Sequence, residues 1–258
     1  MPRERWVEVG GAQARVLEEG DGAPTAFLAG FGGLPRWSDF AAELARLHRV
    51  IAPSLPGFPG AEGHDRLDDL ADWVIVTLDL LDAAGATGAD LVGVSLGAML
   101  AAEVAAFSRG AVRRLVLVSP LGLFDAAEPT RDVFACSPDQ LPALLCADPA
   151  RFVAHTAPPE GADVAEWMII QARAAQAAAR LLWPLGDRGL AKRLHRITAP
   201  TLIVTGSADR ILPASYARRI AAGIHGPTEM RAIEGAGHLV DLDAPAALAA
   251  AVADFLSR

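Results

Sequence analysis

Residues Ala89 to Phe107 read ADLVGVSLGAMLAAEVAAF. The apolar run Leu91 to Val94 meets Ser95 with no linker, Gly97 follows, and Leu100, Val104 and Phe107 recur at helical spacing. The pattern predicts a strand, a sharp turn and a helix, with Ser95 on the turn. Gly93-Val94-Ser95-Leu96-Gly97 fits G-x-S-x-G, in which the glycines let a strained turn approach its neighbours and leave the serine hydroxyl at the carboxyl edge of a sheet. A glycine-rich turn of this kind can instead bind a nucleotide. No G-x-G-x-x-G or G-x-x-x-x-G-K-[ST] accompanies any strand, so a phosphate cradle lacks its parts.

Working outward, Arg5 to Val9 and Ala14 to Glu18 alternate as an edge hairpin around Gly10-Gly11. Thr25 to Leu28, His48 to Pro53, Arg113 to Val118, Ala199 to Thr205 and Thr228 to Ile233 read as further strands. Helical patterns over Trp37 to Leu47, Leu70 to Ala84, Ala214 to Ile224 and Ala244 to Leu256 separate them. Such alternation demands a parallel sheet with helices on both faces, an α/β fold. From Leu121 to about Leu190 the alternation stops; seven prolines interrupt short helical patterns such as Glu166 to Leu182, and no strand is evident. The expected division is a core domain over 1–121 and 191–258 with a helical cap inserted at 122–190.

With 258 residues, 52% of them hydrophobic, the chain can bury a sizeable core. A formal charge of -8 and no clustered basic face argue against a nucleic-acid partner. The opening MPRERWVEVG has no apolar h-region, and no apolar run reaches the ~20 residues a bilayer requires. The expectation is a soluble cytoplasmic protein, monomer or homodimer, with a small-molecule substrate and no membrane partner. Cys136 and Cys146, without metal-site spacing, read as reduced structural thiols.

A serine nucleophile needs a base to take its proton and an acid to orient that base, both at the same sheet edge. Of the six histidines only His238 follows a strand and a glycine-rich turn, Gly235-Ala236-Gly237. His48 precedes a strand, His64 lies in an acidic loop, His155 in the cap, His195 in a basic run, and His225 follows a helix. For the acid, Asp125, Asp209 and Glu234 stand near strand ends; Asp209, just past TLIVTG, is preferred because Ser95, Asp209, His238 is the chain order of an elbow-type triad. Glu234 is expected to meet solvent or Arg231, while Asp241 and Asp243 read as caps of the last helix. Ala29 to Pro35, AGFGGLP, can turn backbone N–H groups into the concavity a developing oxyanion needs.

The chain resembles α/β-hydrolase-fold proteins nearly from end to end. Besides G-x-S-x-G, Pro53 to Phe58 is similar to the family's P-D-L-P-G-[FHY] loop, Arg193 to Pro213 to its R-I-x-x-P-T-L-x-[VL]-x-G-x-x-D-x-[IVL]-x-P block, and Gly235 to His238 to its G-x-G-H. The resemblance implies an eight-stranded, mostly parallel sheet with a cap after the sixth strand, and an oxyanion hole formed by the N–H groups of Phe31 and Leu96. It implies no cofactor and no metal. Three positions depart from the family pattern: Ala29 where His is usual, Val94 where His or Gln is common, and Ala98 where a second glycine is common. The absent histidine removes a side chain that often ties the oxyanion loop down.

The reaction expected is hydrolysis of an apolar ester, lactone or similar carbonyl compound through an acyl-enzyme. Ser rather than Asp at position 95 weighs against dehalogenase and epoxide hydrolase chemistry. Cleavage of a carbon–carbon bond, a lyase or cyclase reaction, and a ligand-binding role with a vestigial triad are the alternatives. Trp167, Trp183 and Leu121, with Met168 to Ile170 and Leu181-Leu182, are the candidate walls of the substrate pocket. Arg131, Arg151, Arg173 and Arg180 are candidates for a substrate carboxylate.

Overall fold

In the computed structural model, which describes residues 1–258, the hairpin expected at the start is β1 (Arg3–Val9) and β2 (Ala12–Glu19), paired antiparallel. Then come β3 (Pro24–Leu28), α1 (Asp39–Ala45), β4 (Arg49–Pro53), α2 (Leu70–Ala83), β5 (Asp90–Val94), α3 (Leu96–Phe107) and β6 (Leu115–Val118). Between β6 and β7 (Thr201–Gly206) the chain is helical only: α4 (Leu141–Leu145), α5 (Pro149–Thr156), α6 (Val164–Leu182) and α7 (Leu190–Arg193). It closes with α8 (Ala214–Gly223), β8 (Thr228–Ile233), α9 (Val240–Asp243) and α10 (Pro245–Leu256).

One sheet takes all eight strands in the order β1-β2-β4-β3-β5-β6-β7-β8. Only β2 runs against the rest, pairing antiparallel with both neighbours; β4, β3, β5, β6, β7 and β8 are parallel in succession. Every residue of β5 and β6 is buried, as both faces of a parallel sheet must be when helices cover them. α1 packs with α10, and α2 packs with α3.

Helix starts follow their side chains. Ser38 accepts the Ala41 N–H at 3.2 Å to open α1, so the helix begins after Trp37. Asp69 and Asp72 form a reciprocal capping box at α2, satisfying donors that a helix leaves free at its first turn. The parallel register places Leu28 beside Gly93, Val94 beside Val118, and Gly206 beside Ile233. The loops after β3, β5, β7 and β8 therefore open on one edge of the sheet.

Candidate active site

Ser95 sits where β5 becomes α3, with φ 55° and ψ -116°. A non-glycine residue at positive φ is strained by roughly 1–3 kcal/mol, and the surroundings must hold it there. They do so by close approach. A Cβ on Gly93 would strike the Gly97 carbonyl, and one on Gly97 would strike the carbonyl oxygens of Leu28 and Ala29. Glycine at both positions is what lets α3 start so close to β3 and β5. The Ser95 N–H continues the sheet ladder to Val118 O at 2.8 Å.

Ser95 Oγ is 2.8 Å from His238 Nε2, and His238 Nδ1 is 2.9 Å from Asp209 Oδ2. Ser95 and His238 are each 1% exposed. Burial raises the Asp209 carboxyl, but the His238 ring and the N–H groups of Leu212 and Ile211 outweigh it and hold the group below its usual value. The carboxylate therefore accepts from His238 Nδ1–H, which leaves Nε2 free to accept the serine proton. The other two acid candidates lie elsewhere: Asp125 pairs with Arg219 at 2.9 Å, and Glu234 is exposed. Arg231 pairs with Asp254 and Glu229, not with Glu234.

Leu96 is the first residue of α3, so its N–H is one of those a helix cannot bond internally. The N–H of Phe31, in the loop after β3, makes no backbone hydrogen bond. The loop lies against the nucleophile turn: a Cβ on Gly30 would lie 3.3 Å from Ser95 Cβ and 3.2 Å from Val94 Cγ1.

Where the family histidine is missing, other side chains hold this loop. His155 of α5 donates from Nε2 to Gly33 O at 2.9 Å, and Arg15 of β2 donates to Leu34 O at 2.5 Å. Burial pushes the His155 pKa down, so the ring is neutral with its proton on the nitrogen that faces the carbonyl. Nothing local marked His155, whose partner is 122 residues away in the chain.

Asp241 and Asp243 do not cap the last helix. The N-cap of α10 is Ala244, and no side chain bonds there. Asp243 instead accepts from Ala147 N at 2.7 Å and Asp148 N at 3.2 Å in the α4–α5 link, and from Gly237 N at 2.8 Å beside His238. The Leu239 N–H reaches Leu145 O at 2.9 Å. The histidine loop is thus clamped to the helical insertion from both sides of His238. Asp241 is buried with its Oδ1 unpartnered, and burial pushes its carboxyl up to about 7.

Leu121 lines the small cavity at Ser95, together with Val133, Leu182, Ile211 and His238. Trp167 and Trp183 do not. The Trp167 indole turns inward to donate to Thr156 O at 2.9 Å, and Trp183, just past the end of α6, is 57% exposed. Met168 and Ile169, expected beside them, are 67% and 61% exposed, because α6 buries the stripe Ala174, Ala177, Ala178, Leu181. Of the four arginines, Arg151, Arg173 and Arg180 face Asp148, Glu62 and Asp68; Arg131 lines the Ser95 cavity. Cys136 and Cys146 are both unpaired.

No helix is long and apolar enough to cross a membrane. No curated protein matches the chain in sequence. Solved structures do resemble it. A membrane phospholipase A, described as a bacterial virulence factor, superposes with a TM-score of 0.82 at 23% identity, over 99% of this chain and 86% of the other. A meta-cleavage product hydrolase from Pseudomonas fluorescens IP01 gives 0.78 at 17% identity, over 98% and 97%. Naproxen esterase from Bacillus subtilis gives 0.73 at 18% identity, over 99% and 92%. At these identities the likeness shows the fold. The sequence model of the alpha/beta hydrolase family matches residues 26–251, from β3 to α10 and so almost all of the parallel part of the sheet from β4 to β8, and the chain belongs to that family.

Proposed function

We propose that the protein is a serine hydrolase that cleaves an apolar carboxylic ester, lactone or similar carbonyl substrate through an acyl-enzyme. The observation that carries this reading is the relay of 2.8 Å and 2.9 Å hydrogen bonds from Ser95 through His238 to Asp209, buried at a sheet edge, and the Phe31 and Leu96 N–H groups, which make no backbone hydrogen bond, support it.

In the first half-reaction His238 Nε2 takes the Ser95 proton as Oγ bonds to the carbonyl carbon. The N–H groups of Phe31 and Leu96 receive the oxyanion. The carbon–oxygen bond to the leaving alcohol then breaks, and the imidazolium returns its proton to that oxygen. In the second half a water gives a proton to His238 and its oxygen bonds to the acyl carbon. The bond to Ser95 Oγ breaks, Oγ regains a proton, and the acid departs. Asp209 stays ionised throughout and orients the imidazole.

The test is hydrolysis of p-nitrophenyl esters with a pre-steady-state burst. The expected result is a burst of one nitrophenolate per chain, abolished in Ser95→Ala. Hydrolysis that persists in Ser95→Ala overturns the reading.

Arg131 favours a second reading. It lines the Ser95 cavity with no carboxylate partner of its own, so it suits a substrate that brings one. The likeness to a meta-cleavage product hydrolase agrees with carbon–carbon bond hydrolysis of such a substrate. Under this reading the wild type consumes a meta-cleavage product faster than any neutral ester, and Arg131→Gln slows only the anionic substrate. Equal slowing of neutral and anionic substrates excludes it.

A further inference from the structure

Apart from the cavity at Ser95, the chain forms a polar pocket of about 190 Å³. Its walls are Arg36, Trp37 and Ser38, where the loop after β3 meets α1, Arg151 and His155 of α5, and Asp241 of α9. None of these residues lines the space at Ser95. Two polar atoms on the walls have no partner. Asp241 is 6% exposed and its Oδ1 makes no hydrogen bond; the buried Trp37 Nε1–H makes none either. A buried polar group without a partner is costly, and two on the walls of one space point to a ligand that supplies both bonds.

Charge and size define that ligand. Arg36 Nη2 donates to the carbonyl oxygens of Ala154, His155 and Ala157, which holds the guanidinium at the end of α5 and leaves Nε and Nη1 to donate elsewhere. Arg151 meets Asp148 through Nε at 3.6 Å, beyond hydrogen-bond length, so its terminal amino groups can turn to a ligand. Asp39 is the one carboxylate set against these two cations, since burial keeps the Asp241 carboxyl protonated up to about pH 7, able to donate. Burial likewise keeps His155 neutral. The balance is one positive charge, which a monoanion neutralises and a cation or a dianion does not. The volume is that of about six water molecules at ~30 Å³ each, so the anion is compact.

We propose that this pocket is a second ligand site, which binds a compact monocarboxylate. Arg36 and Arg151 donate to its oxygens with the forked geometry that suits a planar carboxylate, and Trp37 Nε1–H and Asp241 complete the set of donors. The bound anion joins the loop after β3, which carries Phe31, to α5 and to α9, which follows His238. The site is separate from the chemistry at Ser95 and does not depend on the hydrolase reading.

The experiment titrates butyrate, and butyramide as its uncharged counterpart, into the protein by calorimetry at pH 6. The wild type is compared with Arg151→Gln, Trp37→Phe and Arg131→Gln, each checked for folding by thermal midpoint. At the efficiency open to so small a ligand, the wild type is expected to bind one butyrate with a Kd of about a millimolar or lower, and butyramide far more weakly. Loss of one charge-assisted hydrogen bond raises the Kd about tenfold or more in Arg151→Gln and in Trp37→Phe. Arg131→Gln, altered at the Ser95 cavity, binds butyrate as the wild type does. A wild type that binds no butyrate, or binds butyramide equally well, overturns the proposal. So does a Kd unchanged in both Arg151→Gln and Trp37→Phe while both are folded, and so does binding lost in Arg131→Gln, which places the anion at Ser95 instead.

Discussion

At the scale of single residues, the proposed reaction rests on three side chains, Ser95, His238 and Asp209, joined by hydrogen bonds of 2.8 Å and 2.9 Å. Ser95→Ala and His238→Ala are each expected to lower kcat by about a thousandfold or more, with thermal midpoints close to wild type. Asp209→Asn should approach the same loss by presenting the wrong tautomer of His238, read as kcat at unchanged fold. Asp241 predicts an effect on stability. Its carboxyl is raised to about 7 by burial, against ~3.9 in an unfolded chain. Between those values the folded state holds a proton that the unfolded state has lost, so stability falls as pH rises from about 4 to about 7 and levels off above. Asp241→Asn removes the ionisation: its stability advantage over wild type should grow across that interval to the order of 2–4 kcal/mol, followed by urea denaturation at several pH values. An advantage independent of pH contradicts the assignment. Asp243 nearby pushes this carboxyl in the same direction as burial, and the His238 ring opposes it.

At the scale of elements, the loops at the sheet edge are set by segments distant in the chain. His155→Ala removes the α5 bond to Gly33 O, and kcat should fall about ten- to a hundredfold, less than the roughly hundred- to thousandfold that outright loss of one oxyanion donor costs, because the donor is displaced and not removed. Measurement of kcat and KM separately checks it: a rise in KM alone would mean that the loop holds without the histidine. Asp243→Ala leaves three N–H groups of the α4–α5 link and the histidine loop without their acceptor. The expected outcome is a loss of roughly 1–3 kcal/mol with a slower fluorophosphonate reaction at Ser95, and Asp243→Glu should restore part of the rate. These ties explain where the sequence stopped being readable. The strand-turn-helix around Ser95 is written in adjacent residues, as is the glycine turn before His238. His155 and Asp243 act on backbone groups roughly a hundred residues away, and an isolated histidine or aspartate carries no sign of such a partner. The rotation of α6 was hidden for a related reason: Trp167, Met168 and Ile169 look equally apolar, yet the helix buries its alanine stripe and turns Met168 and Ile169 to solvent.

At the scale of the whole molecule, the doubly covered sheet was legible because β5 and β6 are continuous apolar runs separated by helical periodicity. In the proline-interrupted insertion α6 was legible from its helical period over Glu166 to Leu182, whereas α4 and α5, only 5 and 8 residues long, are too short to show one. The parallel register then brings Ser95, Asp209, His238 and the Phe31 loop to one edge although they span most of the chain. On this account the sheet exists to hold one activated serine. Intact-mass labelling with a fluorophosphonate, wild type beside Ser95→Ala and His238→Ala, tests that claim most directly. One adduct is expected on the wild type, none on Ser95→Ala, and sharply slowed labelling of His238→Ala. Labelling of all three proteins alike, or of none while all are folded, would contradict it.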